Sequence, residues 1–279
     1  GEGDGIYRMH IHVPTDKFYE PITYIRELGT ITKGTIENLI AQMEGFESGK
    51  AGRQTQNPLE PGQIASIVVS PGAGLTRIFA SLGATAIVAG GQTMNPSTEE
   101  ILNAFENLPT DRVIILPNNK NIILAAQSAA SLTVKDVRVI PSTSIPQGLT
   151  SMFCMSPDGD LDELEKSMTE ALREVDTGEI TIATRTVEID GINVREGQVI
   201  VLHNGKLTHA AENLEEACLT FLTKANAESK ERITLFYGNN IAKPDVNRIV
   251  DRIRSDYASH EIELHDGGQP HYQFIISIE

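Results

Sequence analysis

The sequence predicts an α/β protein with a parallel-sheet lobe, then an α+β lobe built on an antiparallel sheet, preceded by the end of another domain. Three observations carry this. Between residues 64 and 141 the short apolar runs IASIVVS, ATAIVAG, RVIILP and DVRVIP alternate with helical stretches. That is the pattern of parallel strands buried on both faces by crossover helices. After residue 158 the runs alternate in polarity around Asp190-Gly191 and Asn204-Gly205, two strong hairpin signals. Residues 47 to 62, ESGKAGRQTQNPLEPG, combine glycine, proline and polar residues without an apolar period, which marks a linker.

Taken in order, residues 1 to 46 hold a strand at 6–13, a helix around 21–28 and the stretch TITKGTIENLIAQMEG. About one βαβ unit is too little for a core of its own, so this segment is expected to belong to something larger. Residues 63 to 150 form the parallel lobe, with strands at 64–70, 84–90, 112–117 and 136–141 and helices from Leu75, Thr98 and Lys120. Ser97 and Glu100 form a capping box ahead of the stripe Ile101, Leu102, Phe105 and Leu108. Asn118 or Asn119 is placed to cap the next helix. Residues 151 to 279 form the α+β lobe. Its first helix has Asp160 and Glu163 at box spacing, with Leu161, Leu164, Met168 and Leu172 along one side. A meander follows, then a helix from Asn213, the strand ERITLFYG, a helix from Pro244 and the strands EIELHD and HYQFIISIE.

Composition narrows the function classes. The 279 residues carry a formal charge of −15 with a pI near 4.9, which disfavours binding to nucleic acid or an anionic membrane through a basic face. Cys154 and Cys218 have no CxxC spacing, so free thiols in a reducing cytoplasm are expected. No cationic leader precedes an apolar run and no apolar stretch reaches 18 residues, so neither export nor membrane insertion is expected. The start GEGDG, without methionine, reads as a cut edge with more chain upstream.

In an open parallel sheet, ligands sit beyond the carboxyl ends of the strands. The loops there are SPGAGL, GGQTMNPST, PNNKN and PSTSIPQG. They gather uncharged hydrogen-bonding groups, Gln92, Thr93, Asn95, Asn118, Asn119 and Ser144, with Lys120 the one cation beside them. These are candidates to hold a small ligand or a partner protein. PGAGL lacks the glycine spacing of a dinucleotide loop and the GK[ST] of a P-loop. Turn chemistry alone also explains its glycines. No nucleophile elbow or paired acid and base is visible, so a stand-alone enzyme is disfavoured. His203 with His209 and His265 with His271 flank turns and are weaker ligand candidates. His10 and His12 in RMHIH share one face of the expected strand. They are two candidate metal ligands, with solvent-facing or interface histidines as the alternative.

The run from IVVSPGAGLTRIF through GGQTMNPST and PNNKNIILAAQSAA to VRVIPSTSIPQGLTSM, with the ending HDGGQPHYQFIISIE, closely resembles the C-terminal region of the dihydroxyacetone-kinase-like, DegV-related proteins of Gram-positive bacteria. The resemblance covers essentially the whole chain. The large subunit of bacterial fatty acid kinase is the characterised member. The resemblance implies the DegV-like two-lobed fold for residues 63 to 279 and the tail of a middle, dimerising domain for residues 1 to 46. ATP and magnesium would then belong to a kinase domain absent from this chain, and the intact protein would be a homodimer. It also implies zinc on His10, His12 and an upstream cysteine in the intact protein, with no cofactor in this part. The hydroxyl-bearing loop by which DegV proteins hold an acyl carboxylate is replaced here by PNNKNIILAAQSA. The implied role is therefore docking of a separate fatty-acid-binding DegV-like subunit. The alternative is a DegV-like small-ligand or fatty-acid-binding protein.

Overall fold

The computed structural model describes residues 19–28, 54–55, 59–92, 95–189 and 191–279. The chain divides into two compact units, Gly1–Ala51 and Gly52–Glu279, and the division falls inside the stretch read as a linker. In the first unit the described element is helix α1 (Tyr19–Leu28), with Glu20 in its first turn and Arg26 in its last, both favourable to the helix dipole. His10 and His12 lie outside the described residues.

The second unit begins with strand β1 (Gln54–Thr55), followed by β2 (Ala65–Ser70), α2 (Ala73–Ser81), β3 (Ala86–Ala89), α3 (Thr98–Phe105), β4 (Arg112–Leu116), α4 (Ile123–Ser131) and β5 (Asp136–Val139). The sheet order is β1-β3-β2-β4-β5. Strands β2 to β5 are parallel, and β1, from within the expected linker, adds an antiparallel edge. Alternation along the strands feeds two cores. Ile67, Val69, Val113 and Ile115 pack with Ile101, Phe105 and Ala126 of α3 and α4. Val68, Ile114 and Leu116 face the other way, toward Leu75 and Phe79 of α2. Burying strands on both faces is what their unbroken apolar runs require.

Two helices complete that second core. Helix α5 (Ile145–Phe153) contributes Leu149 and Met152, and α6 (Leu161–Ala171) contributes Leu164 and Met168. The first of these corrects the reading of PSTSIPQG as a plain loop. Ser144 is its N-cap, accepting from the Gln147 N–H, and a proline sits in its first turn, so the start carries cap chemistry. Helix α4 also departs from expectation. No side chain caps it; Asn119 Oδ1 instead accepts from the Asn121 N–H at 2.9 Å, an Asx turn that delays the helix to Ile123.

The chain continues through β6 (Asp176–Ile182), the separate hairpin β7 (Val187–Ile189) and β8 (Ile192–Val194), β9 (Val199–His203), β10 (Lys206–Ala211), α7 (Leu214–Lys224), β11 (Arg232–Tyr237), α8 (Lys243–Asp256), β12 (Glu261–Asp266) and β13 (Tyr272–Ile278). The six-stranded sheet has the order β10-β9-β6-β13-β11-β12. Its pairings are antiparallel except β11 with β12. That parallel pair follows from the α8 crossover between them, because parallel neighbours need a long connection, and it refines the expected antiparallel sheet to a mixed one. Asn204 and Gly205 both take positive φ, 50° and 75°, the turn that closes β9 onto β10. Phe221 of α7 and Ile249 of α8 pack on Phe274 and Ile276. The opposite face of β13 contributes Tyr272 and Ile275 to the core shared with the parallel sheet.

Candidate functional site

From β2 the chain passes to β3 on one side, then returns across β2 to β4 on the other. The loops leaving β2 and β4 therefore diverge, and a crevice opens between them at the carboxyl edge. A cleft of about 30 Å³ lies there. Val69, Pro71, Gln92, Asn118 and Asn119 line it from the parallel sheet, and Glu179, His271 and Tyr272 from the mixed sheet.

Asn118 is the strut of this edge. It is buried and left-handed, with φ 55°, a conformation asparagine tolerates better than most residues. Its Nδ2 donates to the Val69 carbonyl at 3.0 Å, its Oδ1 accepts from Ser142 Oγ at 2.8 Å, and its N–H donates to Ser142 Oγ at 3.0 Å. One amide so fixes the ends of β2 and β4 and the loop after β5. Gly148 of α5 makes room for it, since a Cβ there would overlap Asn118 Oδ1. Nearer the surface, Asn119 Nδ2 donates to Gln92 Oε1 at 3.0 Å, bridging the loops after β3 and β4.

The glycines of SPGAGL have a different task from cradling an anion. The Leu75 N–H at the start of α2 donates to the Gly267 carbonyl at 3.0 Å. A Cβ on Gly72 would lie 2.6 Å from that same oxygen, and one on Gly74 would overlap the Asp266 carbonyl. Both glycines let the DGGQP loop of the mixed sheet come to backbone contact, so this helix start is occupied by protein.

Glu179 stands on β6 and reaches the cleft beside Tyr272 of β13. Burial pushes its carboxyl up to about 7, against the opposing pull of the Tyr272 hydroxyl and the Lys120 charge. Tyr272 is itself pushed well above the usual phenol range, by burial first and then by the Glu179 charge. His271 holds a left-handed backbone, φ 69°, and its carbonyl accepts from Thr181 Oγ1 at 2.7 Å. Non-glycine residues at positive φ cluster at functional sites more often than elsewhere, and two of them, Asn118 and His271, line this cleft from opposite sheets.

Residues 65–279 match the model of the fatty acid kinase FakA-like, C-terminal family. The chain belongs to that family. An uncharacterized protein of Staphylococcus epidermidis is 36% identical over 281 residues, covering 99% of this chain and 50% of its own length. This FakA-like chain thus spans about half the length of the curated relatives it matches. Among solved structures, the DegV family protein Cg2579 of Corynebacterium glutamicum superposes with a TM-score of 0.56 at 16% identity, over 77% of this chain and 96% of that one. Fatty Acid Kinase (Fak) B3 of Streptococcus pneumoniae, solved with linoleic acid, gives 0.50 at 12% identity, over 78% and 99%. At these identities the likeness is one of fold, and it is the DegV fold.

In this FakA-like chain the structure brings Gln92, Asn118 and Asn119 to one cleft. Asn95 is exposed and away from its lining. Lys120 is exposed and acts on the cleft through its charge. Ser144 turns inward, its Oγ 2.8 Å from Thr177 Oγ1. Thr93 lies outside the described residues. The histidine pairs are not brought together as ligands: His203 pairs with Asp176 at 2.9 Å, and His265 stacks on Phe236 and meets Glu263. No group of three or more His, Cys, Asp or Glu is placed to hold a metal among the described residues. Burial raises both thiols, Cys154 and Cys218, which suits inert cysteines. No helix among the described residues is long and apolar enough to cross a membrane. Sequence reasoning missed Glu179 and Tyr272, and offered His271 only as a weak ligand candidate paired with His265. The signal was a carboxylate set into the apolar run TGEITIA of a central strand.

Proposed function

We propose that this chain is a noncatalytic docking part of an ATP-dependent fatty acid kinase, holding a fatty-acid-loaded DegV-like subunit for phosphorylation of the acyl carboxylate by a kinase domain elsewhere in the longer protein. Phosphoryl transfer depends on positioning and charge stabilisation, so a docking part contributes without touching phosphate. The observation that carries the reading is the pairing of family and cleft. The family is that of a fatty acid kinase, while the cleft holds about 30 Å³, against roughly 300 to 1,000 Å³ for a pocket that encloses a small molecule. A cleft of that size supports the reading that the acyl chain is carried elsewhere, and Fak B3, a relative in fold, was solved with linoleic acid.

The test titrates this chain with a fatty-acid-loaded DegV-fold protein and follows sedimentation. A discrete complex is expected; no association with either the loaded or the lipid-free form overturns the reading. The second reading, a DegV-like ligand-binding protein, is favoured by a cleft at the strand-order reversal. Stoichiometric fatty acid extracted from the purified chain and identified by mass spectrometry would replace the first reading with it.

The same proposal places the intact protein in the cytoplasm as a homodimer, with zinc on His10, His12 and an upstream cysteine. Metal analysis of the longer protein with and without His10→Ala tests the zinc; equal zinc in both removes it.

A further inference from the structure

We propose that the cleft is a binding site for a primary ammonium group seated on the Glu179 carboxylate. Glu179 sits on β6, flanked by β9 and β13, so its carboxyl is held by a rigid central strand. Among the described residues no cation stands within ion-pair distance of it. An ionised carboxylate that is half-buried with no cation in reach is costly until a counter-charge arrives, and its raised pKa is in the direction of that cost.

The groups facing it come from each neighbouring element. The Tyr272 hydroxyl of β13 lies beside it and, with the Lys120 charge after β4, pulls its pKa down against burial, and His271 borders the cleft before β13. Val69, Ile145 and Ile275 supply apolar wall, suited to the alkyl carbon beside an ammonium nitrogen. About 30 Å³ is room for roughly two water-sized groups, the size of methylammonium. A carboxylate ligand would instead meet like charge at Glu179. The site thus selects the opposite charge from the fatty acid named for the Fak B3 structure. Docking of a protein partner plays no part in this inference, and failure of either leaves the other standing.

The experiment follows the glutamate side-chain carboxyl carbons of the full chain by NMR during titration with methylammonium chloride. Tetramethylammonium chloride and sodium acetate at matched ionic strength serve as controls. A saturable shift with methylammonium alone is expected, with affinity at about pH 8.5 at least about tenfold tighter than at about pH 5.5, where Glu179 is protonated. Glu179→Gln should abolish it. Equal binding by Glu179→Gln, tighter binding at the lower pH, a saturable acetate response or no saturable response overturns the site. If Glu179→Gln does not fold, the wild-type titration decides. Saturating methylammonium must lower the Glu179 midpoint, and an unmoved midpoint refutes the proposal.

Discussion

The Leu75 N–H donates to the Gly267 carbonyl at 3.0 Å, joining the first crossover helix of the parallel sheet to the loop between the last two strands of the mixed sheet. An unpaired N–H at a helix start is the usual anion site. Here a protein carbonyl occupies it, and the glycines that resemble a phosphate loop are spacers for a backbone contact between sheets.

A methyl group at position 74 should therefore act as a wedge. Gly74→Ala overlaps the Asp266 carbonyl, which is backbone and cannot rotate aside. A loss of about 3 kcal/mol is expected, at the upper end of overpacking costs. Urea midpoints measure it, and an unchanged midpoint would show that the contact yields freely.

Asn118 combines two roles that substitutions separate. Asn118→Gly and Asn118→Ala both strip the bonds to Val69 and Ser142, leaving buried groups unpaired at about 1–3 kcal/mol. Alanine also pays for the left-handed backbone at φ 55°, about 1 kcal/mol more. Alanine should thus be the less stable variant in chemical denaturation. The reverse order would mean that the backbone relaxes once the amide is gone.

Glu179 gives a pH signature with a definite sign. Its folded pKa, about 7, stands above the ordinary 4.5, so between those values the folded chain retains a proton that the unfolded chain has lost. Stability is highest below the unfolded value and declines as pH rises through the folded one, by about 3 kcal/mol in all. Wild type should therefore fall by that amount relative to Glu179→Gln across this window in paired thermal or urea titrations. A wild type that gains on the variant as pH rises would contradict a carboxyl whose ionisation is opposed by its surroundings.

What the sequence disclosed and what it hid divide along local and non-local physics. The Ser97 box was readable because both of its bonds, Glu100 N–H to Ser97 Oγ at 3.2 Å and Ser97 N–H to Glu100 Oε2 at 2.8 Å, lie within one turn. The Asn204-Gly205 turn was readable for the same reason, and the parallel strands because each apolar run is itself local, although their pairings are not. The partners of Asn118 and of Glu179 come from other strands and the loops beyond them, so spacing along the chain carried no trace of them. Ser144 looked like a ligand because its loop is polar, yet its partner is Thr177 across 33 residues. The parallel edge of the mixed sheet escaped because EIELHD alternates equally well in either direction.

The rim offers the last separation, between a docking surface and a merely exposed one. Gln92 and Asn119 are bonded at the surface, so Gln92→Glu with Asn119→Asp exchanges that bond for two like charges and should cost about 1 kcal/mol while leaving the fold intact. Two added negative charges at a contact should still weaken binding of a loaded DegV-like partner by about tenfold, since like charge across an interface is strongly unfavourable. The comparison is the helix α4 region, where Leu124 is 73% and Val134 100% exposed, a patch of the kind that partner proteins cover. Leu124→Lys with Val134→Lys should leave the complex intact if docking uses the cleft rim. Loss of binding in the lysine pair, with the rim pair unaffected, would move the docking surface to α4, and sedimentation of the two double variants beside wild type decides between them.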